Sequence, residues 1–151
     1  MLFRSAQYCN YLNPWRGQIQ VKLQAAYPLP GGFRLAATYQ DLPGNPQSAT
    51  RSFSNAEIQP SLGRPLSGGV ANVTVPLIDA GEMQGERVNQ LDIRLGKAIT
   101  VGRLRATPSL DIYNVFNANP VLTVSPAYAT WQRPQSILNA RFLKLVLQMD
   151  F

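Results

Sequence analysis

The sequence predicts an all-β fold, an antiparallel meander of about five long strands. We expect this meander to be part of a transmembrane β-barrel, or an open curved sheet if the segment stands alone. Three observations support the prediction. Apolar and polar residues alternate with period two in five segments. Short turns and long loops alternate as the connections between these segments, and between the strand ends the charged residues lie only at the polar positions. Period-two alternation places the two kinds of side chain on opposite faces of a strand.

The composition limits the classes of protein that fit. The chain has 151 residues, enough for one domain, and its 15% of charged residues is well below the roughly 25% typical of soluble domains. It has no histidine and one cysteine, which argues against most zinc sites, histidine-dependent nucleophiles and an internal disulfide. We therefore expect no catalytic residues, no metal site and no cofactor.

The hydropathy separates two kinds of membrane protein. No apolar run approaches the roughly 20 residues of a membrane helix, so an α-helical membrane protein is excluded. The mean hydropathy of −0.12 remains compatible with a membrane β-barrel, because alternating strands average to a neutral value. The first residues, Met1 to Tyr8, lack the pattern of a secretory signal. The chain is thus either cytoplasmic or the tail of a longer secreted protein.

The first two strands form a predicted hairpin. Residues 17–27 alternate, with Ile19, Val21 and Leu23 in the apolar positions. Proline and glycine over Pro28–Gly32 predict a tight turn. Residues 33–41 then alternate again, which completes the hairpin.

Three further strands are predicted after a long connection. Strands over 87–97 and 104–116 flank a turn at Ala98–Arg103, and Pro108 predicts a bulge or a break in the second strand. The last strand covers 139–151. Residues 42–86 and 117–138 read as long loops, with Val73–Ile78 as a candidate short strand.

Between the strand ends, the charged residues of the predicted strands all lie on the polar register. An arginine or lysine at the middle of a lipid-facing strand costs about 2–4 kcal/mol, so the opposite, apolar register suits a lipid environment. A soluble sandwich also places apolar residues on one face. Within a barrel, the candidates to face the lumen are Lys22, Arg34, Asp92, Arg94, Arg105, Asp111 and Lys144; Asp150 lies on the same register.

Four of these residues lie on facing strands of the second hairpin: Asp92, Arg94, Arg105 and Asp111. We favour cross-strand charge pairs over contacts with a ligand. A catalytic carboxylate pair is disfavoured, because we expect neighbouring arginines to keep both aspartates ionised.

Other residues leave alternatives open. Tyr27, Phe33 and Tyr39 fall near strand ends, where they form either an aromatic girdle at a bilayer interface or core contacts of a soluble sheet. Lysines and arginines are scattered singly, so we expect no nucleic-acid binding. Cys9 has no partner within the chain, so it either pairs with a cysteine upstream in a longer protein or is an inert thiol.

The end of the chain carries an alternating pattern that closes on an aromatic residue: Leu143, Leu145, Leu147, Met149 and Phe151. This pattern resembles the assembly signal of bacterial outer-membrane barrels. The resemblance implies recognition by the barrel-assembly machinery, through strand addition at a sheet edge.

Six ordered segments carry a wider resemblance: NAEIQPSLGR (55–64), TVPLI (74–78), RVNQLDIR (87–94), LDIYNVFN (110–117), WQRPQSIL (131–138) and the final strand from Arg141 to Phe151. They resemble the carboxy-terminal barrel region of TonB-dependent receptors, in particular the group with a carboxypeptidase-regulatory-like domain. The match extends over nearly the whole chain from about Trp15.

The resemblance implies a bacterial outer-membrane barrel of about 22 strands that encloses a plug. Such a receptor takes up a bulky nutrient with energy from TonB, and its partners are outer-membrane lipid, the assembly machinery, the plug domain and TonB. The sequence contains no plug, no TonB-contacting box and only about five of the strands. We therefore expect residues 1–151 to be the carboxy-terminal portion of a receptor barrel. The alternative is a small standalone β-sheet protein, soluble or on the cell surface, that binds a partner through its long loops.

Overall fold

The computed structural model describes residues 14–151. Its elements, in chain order, are β1 (Val21–Leu29), β2 (Phe33–Leu42), β3 (Pro46–Gln47), β4 (Thr50–Ser54), α1 (Asn55–Leu62), β5 (Asn72–Pro76), β6 (Met83–Gln84), β7 (Val88–Lys97), β8 (Ile99–Val101), β9 (Leu104–Tyr113), β10 (Val121–Val124), β11 (Pro134–Ile137) and β12 (Phe142–Asp150).

The five long strands form one antiparallel sheet in the order β1–β2–β7–β9–β12, and the short β8 pairs with β9. The predicted all-β antiparallel meander is therefore confirmed. Within residues 14–151 the sheet does not close on itself, because β1 and β12 are its two outer strands and do not pair with each other.

The first hairpin differs from the prediction at both ends of its first strand. The strand begins at Val21 rather than Gly17, because Trp15–Gly17 form a 3-10 turn. It then continues through Pro28 and Leu29, which pair with Arg34 and Phe33. The turn is accordingly shorter than predicted and consists of Pro30–Gly32, in which Gly31 has a φ of 76°.

The second hairpin is longer than predicted. Part of the predicted turn at Ala98–Arg103 forms β8, and the reversal takes place at Gly102, whose φ is 62°. Pro108 does not break β9 itself, which pairs with β12 without interruption. It instead coincides with a gap in the ladder on the other side, where pairing between β7 and β9 stops at Gly96–Ser109 and resumes in β8 at Ile99–Ala106. The interruption has a direct cause, because proline has no N–H to donate to the ladder.

The last two long strands are shorter than the predicted spans 104–116 and 139–151. β9 ends at Tyr113 because Asn114 and Asn117, each with a φ of 52°, turn the chain away from the sheet. β12 covers Phe142–Asp150, so Phe151 lies just beyond the paired strand.

The two long connections, which the sequence predicts as long loops, contain short strands and one helix. The predicted short strand at Val73–Ile78 is confirmed as β5, which pairs with β4, while β3 pairs with β6 and β10 with β11. The helix α1 was not predicted. A capping box starts it: the Ser54 N–H and hydroxyl donate to the Glu57 carboxylate, and these bonds lower the pKa of Glu57.

The two connections contact each other at one end of the sheet, which we call the loop end. The Asn45 side-chain amide donates to the Leu122 carbonyl at 2.7 Å, and the Thr50 N–H donates to the Pro126 carbonyl at 2.8 Å. The opposite end, which we call the turn end, carries the tight turns at Gly31 and Gly102. The predicted asymmetry between short turns and long connections is thus present.

At the base of the first connection the backbone of Gly44 lies close to that of Gly85, and the absence of a side chain on Gly44 allows this approach. A Cβ on Gly44 would collide with the backbone of Gly85. We expect Gly44→Ala to lower the free energy of unfolding by about 1–3 kcal/mol, because the two segments must separate. Thermal unfolding followed by circular dichroism measures this. Gly96→Ala is the control, because its Cβ would meet no atom closer than 3.5 Å; an equal loss there would contradict the explanation.

The described residues contain almost no hydrophobic core. Ala49, at 3% exposure, is the one buried hydrophobic residue among residues 14–151. No helix in this part of the chain is both long and apolar enough to cross a membrane. The main sheet is therefore a single layer with both faces uncovered within the described chain.

Candidate functional site: the two faces of the sheet

One face of the sheet, which we call the apolar face, is apolar across all five long strands. The register places Leu145, Leu110, Leu95, Leu35 and Tyr27 in one row across the sheet. The neighbouring rows are also mainly apolar. They contain Ala25, Ala37, Ile93, Ile112 and Leu143 on the side of the loop end, and Leu29, Phe33, Pro108 and Leu147 on the side of the turn end.

This face is exposed rather than packed. Leu145 is 83% exposed, Leu143 65% and Leu147 60%. Exposed apolar patches on monomeric soluble proteins rarely exceed a few hundred Å², and larger ones mark contacts with a membrane or another protein. The face therefore requires a covering that residues 14–151 do not supply.

On β2 and β7, charged side chains lie on the apolar register at the two ends of the paired strands. At the loop end, Asp41 lies on the apolar register and accepts a hydrogen bond from Arg87 Nε at 2.9 Å. At the turn end, Lys97 opposes Phe33, and its Nζ lies 4.7 Å from the centre of the Phe33 ring. Eight residues of β2, about 26 Å of strand, separate these two levels. The long strands contain 9 or 10 residues, the length of a strand that crosses a bilayer at a tilt.

The opposite face, which we call the polar face, carries all seven residues predicted to face a lumen. The register places them together on this side: Lys22 opposite Gln40, Arg34 opposite Gly96, Thr38 opposite Asp92, Arg94 opposite Asp111, Lys144 opposite Asp111 and Arg105 opposite Asp150.

The centre of the polar face is an ion pair between Arg94 and Asp111. Arg94 Nε and Nη2 donate to the two carboxylate oxygens of Asp111, each at 2.6 Å, and Asp111 is 3% exposed. This is the geometry of a strong, bidentate arginine–carboxylate pair. Lys144 flanks Asp111 on β12. The predicted cross-strand charge pairing is thus present at this position.

The predicted cross-strand charge pairing does not include Asp92, which makes no ion pair within 4 Å in the described chain. The Asp92 carboxylate instead accepts hydrogen bonds from the Gln90 side chain, at 3.0 and 3.1 Å, and from the Asn114 backbone N–H at 2.9 Å. Asp92 therefore links β7 to the chain that leaves β9. Arg105 likewise makes no ion pair with Asp150 within 4 Å in the described chain; Asp150 accepts from Gln148 at 3.3 Å.

Breaking the central pair is expected to cost stability. Arg94→Gln leaves the buried Asp111 carboxylate without its bidentate donor, and we expect the free energy of unfolding to fall by about 1–2 kcal/mol. Urea unfolding in detergent, followed by circular dichroism, measures the change. Arg34→Gln is the control on the same face, because Arg34 makes no ion pair in the described chain; a similar loss there would argue against a specific role for the pair.

Tyr27, Phe33 and Tyr39, which the sequence predicts as either an aromatic girdle or core contacts, lie on the apolar face. Tyr27 is 66% exposed and Phe33 37%, so core packing does not describe them. Tyr39 is partly covered at the loop end, where its hydroxyl donates to Asn89 Oδ1 at 3.1 Å and its ring meets the ring of Phe116 edge-on.

A structural residue that the sequence did not point to is Asn114. It is 2% exposed, its Nδ2 donates to the carbonyls of Ala118 and Asn139 at 2.8 Å each, and its Oδ1 accepts from the Ala118 N–H at 3.0 Å. These bonds tie the end of β9 to the segment before β12. The available signal was the residue type, since asparagine is enriched at positive φ.

Two further predictions concern Cys9 and metal binding. Cys9 lies outside the described residues. Within residues 14–151, no group of three or more His, Cys, Asp or Glu side chains is placed to hold a metal ion.

Comparisons of the chain with protein-family models, with curated proteins and with solved structures found no match.

Proposed function

We propose that residues 1–151 are the carboxy-terminal portion of the barrel of a TonB-dependent receptor in a bacterial outer membrane. The observation that carries the proposal is the apolar face, which is continuous across five strands of transmembrane length and is exposed, as Leu145 on the outer strand β12 shows at 83% exposure. Hydrocarbon covers such a face without a second protein layer, and water in a lumen solvates the opposite face with Lys22, Arg34 and Lys144.

The arrangement of the connections supports the same proposal. Outer-membrane barrels have short turns on one side of the membrane and long loops on the other. In this chain the turns at Gly31 and Gly102 lie at one end, and the two structured connections lie at the other. The structured connections correspond to the extracellular side.

The last strand supports recognition by the barrel-assembly machinery. β12 is an outer strand of the sheet within residues 14–151 and pairs with β9 along one edge only. Leu143, Leu145, Leu147 and Met149 lie on its apolar face, and Phe151 follows directly and is 99% exposed. An open edge with this pattern suits strand addition by the machinery.

In this proposal the segment forms part of the barrel wall and catalyses no reaction. The apolar face contacts outer-membrane lipid, and the polar face lines the path of a bulky nutrient in the full-length parent. The plug domain and the contact with TonB belong to other parts of the parent. The bidentate Arg94–Asp111 pair and its neighbours keep the charged surface ordered inside the barrel.

Solubility of the full 151-residue chain with and without detergent tests the proposal. We expect the chain to aggregate in aqueous buffer and to become monodisperse, with its strand content intact, in micelles of a nonionic detergent. Size-exclusion chromatography with light scattering and circular dichroism provide the two readouts. A monodisperse chain that unfolds cooperatively without detergent would overturn the proposal.

The second candidate is a standalone binding protein that acts through its connections. The contacts between the two connections favour it, because Arg51 lies 5.3 Å from the centre of the Tyr128 ring and the Asn45 amide reaches Leu122. Between the connections lies a cavity of about 250 Å³ lined by Asn45 and Val121. A soluble, folded monomer in the detergent experiment would favour this candidate.

A further inference from the structure

The polar face has a depression near the turn end. It has a volume of about 610 Å³, within the usual range for small-molecule sites, and Arg34, Arg94 and Arg105 line it together with one carboxylate, that of Asp150. Arg34 is on β2 and Arg105 on β9. Two strand spacings, about 10 Å, and four residues along the strand, about 13 Å, separate their Cα atoms, so both guanidinium groups can reach one ligand between them.

The floor of the depression is formed by Gly96, which lies between Arg34 and Ser109 in the register. Glycine inside a strand is unfavourable unless something approaches closely. No such protein contact is present here: a Cβ on Gly96 would meet its nearest atom, Ser109 Cβ, at an ordinary 3.5 Å. Packing therefore does not require glycine at this position, and although Gly96 itself is buried, the missing side chain leaves more space in the depression above it.

The three arginines around the floor differ in whether a carboxylate pairs with them. Arg94 is held by Asp111, whereas Arg34 and Arg105 make no ion pair in residues 14–151. The register neighbours of Arg34 are Pro28 and Gly96, which carry no charge. Two guanidinium groups thus remain available, and planar, bidentate recognition of carboxylate and phosphate is what arginine does best.

We propose that this depression binds an organic anion that carries at least two carboxylate or phosphate groups, one held by Arg34 and the other by Arg105 over the floor at Gly96. Asp150 accepts from Gln148 at the rim and disfavours an anion placed directly against it. The ligand groups therefore lie on the side of Arg105 away from Asp150. The inference uses only the polar face and does not depend on what covers the apolar face.

Isothermal titration of the full chain in nonionic detergent, or without detergent if the chain is soluble, tests the site. Tripolyphosphate probes phosphate groups, citrate probes carboxylates, and sucrose is the uncharged control. We expect at least one of the two anions to bind, and Arg34→Gln and Arg105→Gln each to raise its Kd about 10-fold, the loss of a charge-assisted hydrogen bond. Lys22→Gln removes the same charge from the same face at the loop end and should leave the Kd unchanged.

Two variants test the shape of the site without changing its charge. Gly96→Val and Ser109→Gln fill the floor, and each should weaken anion binding about as strongly as loss of one arginine; circular dichroism identifies those that keep their strand content. Binding of neither anion by the unaltered chain would overturn the proposal. So would an equal effect of Lys22→Gln, or unchanged binding in the folded floor variants, because each indicates diffuse attraction to a basic surface. Failure to bind an anion would not change the expected result of the detergent experiment. Failure of the detergent experiment would likewise not change the expected result of the anion titration.

Discussion

Leu145→Arg is expected to prevent most insertion of the chain into lipid vesicles. Leu145 lies midway along β12 in the central row of the apolar face and is 83% exposed. A charge at the midplane of a lipid-facing strand costs about 2–4 kcal/mol, which corresponds to a factor of about 30 to 900 in the insertion equilibrium. Flotation of vesicles, with the fraction of protected chain measured by protease digestion, gives the effect.

Two variants on the neighbouring positions are the controls for Leu145→Arg. Val146→Arg places the same group one residue further along β12, on the polar face opposite Ser109. Lys144→Glu reverses a charge on that same face. Both should insert nearly as well as the unaltered chain, because their side chains do not meet hydrocarbon. Equal losses for Leu145→Arg and either control would mean that the assignment of the two faces is wrong.

Asn114→Ala is expected to lower the free energy of unfolding by about 2–4 kcal/mol. The substitution removes three side-chain hydrogen bonds, leaves the carbonyls of Ala118 and Asn139 without this donor, and places alanine at a φ of 52°. The segment between β9 and β12 should loosen first. Urea unfolding gives the total change, and limited proteolysis after Arg133 and Arg141 reports on the segment itself.

Asn117→Ala separates the hydrogen bonds of Asn114 from its backbone conformation. Asn117 has the same φ of 52°, but its side chain makes one bond, accepting from the Arg141 N–H at 3.0 Å, and this bond is exposed. We expect a loss less than half that of Asn114→Ala. A loss of the same size would assign the effect to the positive φ and not to the buried bonds.

The long strands could be predicted from the sequence because alternation is a local property. Leu91, Ile93 and Leu95 indicate a strand and its apolar face without any knowledge of what lies beside them. The ends of the strands were less accurate. Pro28 stays in β1 because it pairs with Arg34, and Ile99–Val101 form β8 because they reach β9, and both contacts depend on the partner strand.

The structured connections were not predicted because their contacts are distant in sequence. The bond from Asn45 to Leu122 joins residues 77 positions apart, and no pattern near either residue indicates it. The helix α1 is different. Ser54 and Glu57 form a capping box and Gly63 ends the helix in the left-handed conformation, so the signal was present but lay within a proline-rich stretch that indicated a loop.

The sequence predicts which residues lie on the polar face but not which of them contact one another. Period two places Asp92, Arg94 and Asp111 on one side of the sheet, yet which carboxylate meets an arginine depends on the register between β7 and β9. That register pairs Arg94 with Asp111 and leaves Asp92 for Asn114. The depression at Gly96 depends on the same register, because that register places Gly96 between Arg34 and Ser109, four residues along β9 from Arg105.

Quenching by brominated lipid measures most directly whether the apolar face meets hydrocarbon. In a Cys9→Ser background, single cysteines at positions 143 to 149 carry a fluorescent label, and the chain is reconstituted in vesicles whose acyl chains bear bromine. We expect strong quenching at Leu143→Cys, Leu145→Cys and Leu147→Cys and weak quenching at Lys144→Cys and Val146→Cys. Quenching that is uniform along β12, or strongest at the even positions, would contradict it.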